Sequence, residues 1–129
     1  MRRPHRPYDD RGSAVVDFVL VLVVVVPLVL GVVQVALVMH VRSTAAAAAS
    51  EGARLAATVD RGPGDGVART RSQIETAIGG VDTDVTARPV SIGGAPGVEV
   101  VVRAEVPALG LGGPAVTVTV SAQAVEEVP

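Results

Sequence analysis

The chain has 129 residues, enough for one small domain and a membrane segment but too few for two independent cores. Hydrophobic residues make up 49% and mean hydropathy is +0.49, yet aromatics are only 2%, so the apolar mass is valine, leucine and alanine gathered in one place. A net charge of -2 with scattered arginines argues against a nucleic-acid partner, and the absence of cysteine excludes disulfides, thiolate chemistry and cysteine-based metal sites.

Residues 1–12 read as a cytoplasmic leader, disordered over 1–11, with Pro4 and Pro7 set among charges. From Ala14 to Val41 the only strongly polar side chains are Asp17, Gln34 and His40, and Phe18 to Val33 is unbroken apart from Pro27 and Gly31. A helix needs roughly 20 apolar residues to cross the ~30 Å hydrocarbon layer. The pattern therefore predicts a transmembrane helix over 13–41. A buried soluble helix would need a partner surface that the rest of the chain cannot provide, and a strand is far shorter, at roughly 5–6 residues. A cleaved secretory signal is the stronger rival, since Ala45 to Ala49 offer small-residue cleavage sites, but signal cores run only about 7–15 residues. Pro27 lacks an amide proton and crowds the Val23 carbonyl, so a kink is expected there. Arg2, Arg3, Arg6 and Arg11 precede the span and Arg42 alone follows closely, which places the N-terminus inside and the C-terminal part outside.

Residues 42–59 extend the helix, because the alanines at 45–49 have the highest helix propensity and Gly52 is the one weak point. Ser13 to Thr58 would form a rod of roughly 70 Å, about half of it projecting from the bilayer. Residues 60–129 form a small extracytoplasmic α+β domain. Asp60 to Gly66 is a dense set of turn formers; a short helix follows, with Val67, Ile74 and Ile78 near helical spacing, stopped by Gly79 and Gly80. Alternation predicts strands at 98–106 and 116–123, and a weaker one at Asp84 to Ile92 that is either an edge strand or begins after Pro89. Gly93 to Gly97 and Gly110 to Pro114 are connections. One thin helix-on-sheet layer built from Val and Ala buries little area, so it should lean on the rod or on neighbouring subunits.

No catalytic, cofactor-binding or metal-binding pattern stands out. His5 and His40 have no second ligand at metal spacing, and HExxH, GxSxG and phosphate-loop patterns are missing. Asp82, Asp84, Glu99, Glu105, Glu126 and Glu127 read as solvated faces and tails; Glu99 and Glu105 share a strand face, but nothing supplies a pocket. The chain reads as a non-enzyme with no cofactor. Asp17 is the residue physically out of place: an ionised carboxylate in an apolar helix costs about 2–3 kcal/mol at the bilayer centre and less near the interface. It is either an acid favoured by the helix N-terminal dipole and wetted by headgroup water, or the partner of a positive charge from elsewhere.

The stretch Arg11-Gly12-Ser13-Ala14-Val15-Val16-Asp17-Phe18 and the apolar run after it resemble the N-terminus of type IV pilin-like precursors. Downstream, Ala48-Ala49-Ser50-Glu51-Gly52-Ala53-Arg54-Leu55-Ala56-Ala57 is similar to the EGAR-containing segment of TadE-like proteins, pseudopilins of tight-adherence pilus systems. The similarity covers roughly residues 11–58. It implies a prepilin peptidase that cuts between Gly12 and Ser13 and leaves Asp17 as the acid five positions into the mature chain, where the family usually has Glu. Implied partners are the membrane, that peptidase and other pilin-like or pilus-assembly subunits in a helix-packed oligomer. Read from the residues alone, the segment is either an exposed helix face with Glu51 and Arg54 as an i,i+3 ion pair worth ~0.2–0.5 kcal/mol, or a face where Gly52 with its alanines permits close helix packing between subunits. The competing reading is an uncleaved single-span anchor with an external binding domain.

Overall fold

The computed structural model describes residues 10–110 and 112–128. It contains a long helix, a short helix and a three-stranded antiparallel sheet, the expected α+β arrangement: α1 (Asp10–Ala56), α2 (Pro63–Ile78), β1 (Asp82–Ile92), β2 (Ala95–Val106) and β3 (Val116–Val125), with sheet order β1-β2-β3. Residues 1–9 of the expected leader lie outside the described residues. Asp10, Arg11 and Gly12, read as leader from the sequence, belong to α1. Once a helix is nucleated each further residue costs little, and no proline intervenes between Pro7 and Pro27 to stop it.

α1 has 47 residues and continues as helix through Pro27. Its two halves differ in surroundings. No described residue of α1 before Val41 is buried, whereas Val41, Ala45, Ala48, Ala49, Gly52, Ala53 and Ala56 are buried at the three- and four-residue steps of a single helix face. This face is one wall of the core. Ala45, Ala48, Ala49 and Ala53 cluster with Ile74 of α2, Val85 of β1 and Val100 and Val102 of β2. Nearer the apolar half, Val41 meets Ala104, Val106 and Val118, with Leu37, Val38 and Val81 packed alongside. The hydrophobic packing of the domain on the helix thus reaches Leu37, within the segment read as the span.

The small helix face lets α2 approach closely. A Cβ on Gly52 would collide with Thr70 Oγ1 and stand 2.7 Å from the Gly66 carbonyl oxygen; one on Gly66 would stand 2.7 Å from the Gly52 oxygen and 2.9 Å from Ala56 Cβ. The fully buried Thr70 hydroxyl donates to the Ala48 carbonyl at 3.2 Å and closes the crossing. Here the turn signals mislead: Gly64 and Gly66 lie inside α2. Pro63 opens the helix with its φ already set, the Asp65 carboxylate accepts the Gly62 amide at 3.0 Å, and Gly66 is glycine because the crossing has no room for a side chain.

β2 is the central strand, and its Val98, Val100, Val102, Ala104 and Val106 are wholly buried against the helices. β1 is an edge strand, where Pro89 can pair with Val98 in register despite having no amide proton. The β1–β2 connection is shorter than expected. Only Gly93 and Gly94 form it, with φ of 58° and 89°, as a two-residue hairpin turn requires, while Ala95, Pro96 and Gly97 already pair with β1.

Gly52→Ala is expected to destabilise the domain by about 1–3 kcal/mol through overpacking. Gly64→Ala, where a Cβ meets nothing within 4 Å, is expected to be neutral or stabilising by up to ~1 kcal/mol. Thermal melts in detergent followed by circular dichroism check this; an unchanged midpoint for Gly52→Ala contradicts the close crossing.

Candidate functional site

The residues singled out in the sequence fall at three places along α1. Gly12 and Ser13 sit in its first turns, exposed, with nothing within 4 Å of a Cβ built on Gly12. Their peptide bond is thus accessible but helical. Asp17 is exposed one turn further on, and among the described residues it has no ion-pair or hydrogen-bond partner. The helix here is long and apolar enough to cross a membrane, and its most apolar window is not buried by the rest of the chain. In water such a surface of Val and Leu would be strongly disfavoured; a bilayer removes that cost.

The Glu51 to Arg54 segment lies at the other end of α1, against α2. Glu51 pairs with Arg69 of α2 at 3.6 Å instead of with Arg54, because the approach of α2 brings a cation from another element. Gly52 and Ala53 are buried within the chain, so their close packing is with α2 of the same molecule. An open groove of about 580 Å³ runs beside this crossing, lined by Thr44, Ala47, Glu51, Arg69, Gln73 and Thr76 among others. Gln73 Oε1 is buried away from solvent and has no hydrogen-bond partner among the described residues.

Two polar arrangements were not visible in the sequence. Glu99, read as a solvated strand residue, is only 7% exposed. It stands on the sheet face away from the helices, in register with Arg88 of β1 and Gln123 of β3. Arg88 Nε donates to Oε2 at 2.6 Å and Gln123 Nε2 to Oε1 at 3.0 Å. The hydrogen bonds from Gln123 and Arg88, with the Arg88 charge, hold this carboxyl below the usual range and outweigh the opposing effect of burial. Glu105 is six residues along the same strand, roughly 20 Å away at ~3.3 Å per residue, so the two acids are no catalytic pair. The second arrangement is at Gln34. Its Nε2 donates to the Pro107 carbonyl at 3.2 Å and its Oε1 accepts the Leu109 amide at 2.9 Å. The β2–β3 connection is thereby fastened to α1 where the apolar run ends.

Among the described residues no group of three or more His, Cys, Asp or Glu could hold a metal ion. His40 is exposed, and its carbonyl accepts the Ser43 hydroxyl.

Because the Glu99 pKa is lowered on folding, its contribution to stability is complete above the ordinary value of 4.5 and is lost as pH falls through the lower folded value. Glu99→Gln should therefore melt lower than wild type at pH 7, and the gap should narrow as the pH falls below 4.5 and on through the lower folded value. A gap that is constant with pH contradicts the assignment.

Comparison with protein-family models gives a match of residues 12–54 to the family described as TadE-like protein, covering the apolar run and the helical segment through Arg54. Neither the curated proteins nor the solved structures give a match.

Proposed function

The chain is TadE-like over residues 12–54, and from that premise we propose that it is a single-pass membrane pseudopilin, a minor structural or assembly component of a tight-adherence pilus or related secretion apparatus. One observation carries the reading. α1 is continuous, no described residue of its first half is buried by its own chain, and its second half is built into the domain core. A subunit of this form is held in lipid by the bare half and can later exchange lipid for the helices of other subunits without unfolding its domain.

The four arginines before the span put the N-terminus inside and the domain outside. Prepilin peptidase then cuts between Gly12 and Ser13 after local unwinding of the first helical turns. The new α-amine, with pKa ~8, is positive at neutral pH. Asp17 of an adjoining subunit neutralises it, and because an unpaired charge in hydrocarbon is costly, the pair selects the register in which helices pack. The role is non-catalytic and needs no cofactor.

The second reading is an uncleaved anchor whose external domain binds a separate partner. The open groove between α1 and α2 favours it. A third, secretion after cleavage near Ala49, would strip Val41, Ala45, Ala48 and Ala49 from the core and leave Val100, Val102 and Val106 uncovered.

Coexpression with a prepilin peptidase, followed by mass spectrometry of the intact chain, separates these. Wild type is expected to begin at Ser13 and Gly12→Ala to keep its leader; a wild-type chain that retains its leader overturns processing and leaves the anchor, and a start near Ser50 overturns both.

A further inference from the structure

We infer that the described residues of the β2–β3 connection, 107–110 and 112–115, form a membrane-contacting element that rests in the headgroup layer of the outer leaflet and seats the domain on the bilayer. The inference rests on the single-span reading and extends it to a second point of lipid contact.

Position comes first. Ala14 to Val33 is a stretch of roughly 20 residues whose one charged side chain, Asp17, lies near its inner end, and at 1.5 Å each it spans ~30 Å and matches the hydrocarbon layer. Gln34 follows at once, and Pro107 and Leu109 are hydrogen-bonded to it. The backbone of Gly110 reaches deeper still: a Cβ there would meet Leu30 Cδ1 at 3.4 Å. Leu30 belongs to the apolar run, so a helix placed across the bilayer carries the connection to the rim of the hydrocarbon.

Chemistry fits that depth. No charged residue occurs between Glu105 and Glu126. Within the connection Pro107, Gly110 and Gly112–Ala115 are exposed, and the adjoining Val116 is 41% exposed. Backbone polar groups are expensive near lipid unless partnered. The Gln34 amide satisfies one carbonyl and one amide of the connection, and they in turn satisfy the Gln34 side chain at the outer end of the apolar run. Each side makes the other tolerable at that depth. Asp82 and Glu105 lie further up, at the start of β1 and near the end of β2 on the outer sheet face, so the contact is apolar and gains nothing from anionic lipid.

The chain has no native cysteine, so single-cysteine variants can each carry one environment-sensitive fluorophore. The test uses the full chain in phosphatidylcholine vesicles, with nitroxide-bearing lipids as quenchers from the membrane and iodide as quencher from water. Ala108→Cys and Leu109→Cys mark the connection, Val24→Cys the middle of the span and Ser91→Cys the far end of the sheet. Labels at 108 and 109 are expected to be quenched at least twofold more strongly by shallow nitroxide lipid than the label at 91, and to be correspondingly shielded from iodide, with no change on adding anionic lipid. If they respond to iodide as the label at 91 does while the label at 24 is lipid-quenched, the span stands and this inference fails. If the label at 24 is itself open to iodide, the span and the inference fail together.

Discussion

A single unbroken helix has to satisfy two different solvents, and most of the structure follows from that constraint. α1 has no break at which the apolar run and the domain could separate; it stays helical through Pro27 and through Gly52. The first half carries Val and Leu outward, and none of its described residues is buried by its own chain. The second carries alanine and glycine inward, because a face of small side chains lets both a sheet and a second helix lie close. Backbone continuity couples the two, so the orientation of the anchor fixes that of the domain.

The Glu51 to Arg54 segment takes on an intramolecular meaning in this light. Its glycine is matched by Gly66, and the Thr70 hydroxyl bonds the Ala48 carbonyl between them. The result ties α2 to α1, and the sheet then packs on both. A domain with so little bulk in its core gains cohesion from close approach, since dispersion falls off steeply with small gaps. The same logic explains why the rod is core and not scaffold: without Ala45, Ala48, Ala49 and Ala53 the valines of β2 would face water.

Much of this was legible in the residues. The apolar run from Phe18 to Val33 and the alternation in β2 and β3 are local signals, and local signals decided those elements correctly. The failures are of one kind. Gly64 and Gly66 look like turn residues until α2 is seen crossing α1, and Glu99 looks solvated until strand register sets Arg88 and Gln123 on either side of it. Gln34 reads as a blemish in an apolar helix, yet its partners are 73 and 75 residues away. Glu51 likewise finds Arg69 in preference to its near neighbour Arg54. In each case the deciding partner comes from another element, and spacing within one element cannot reveal it. At the proposed processing site the local pattern around Gly12, Ser13 and Asp17 is legible as a resemblance, while the charge Asp17 is proposed to meet lies on another copy.

The central claim is that the bare half of α1 belongs in lipid. Alkaline carbonate extraction of membranes from cells making the full chain tests it most directly, since high pH strips peripheral proteins and leaves spanning ones. Retention of the chain in the lipid pellet is the expected result; its release into the aqueous supernatant would contradict the account.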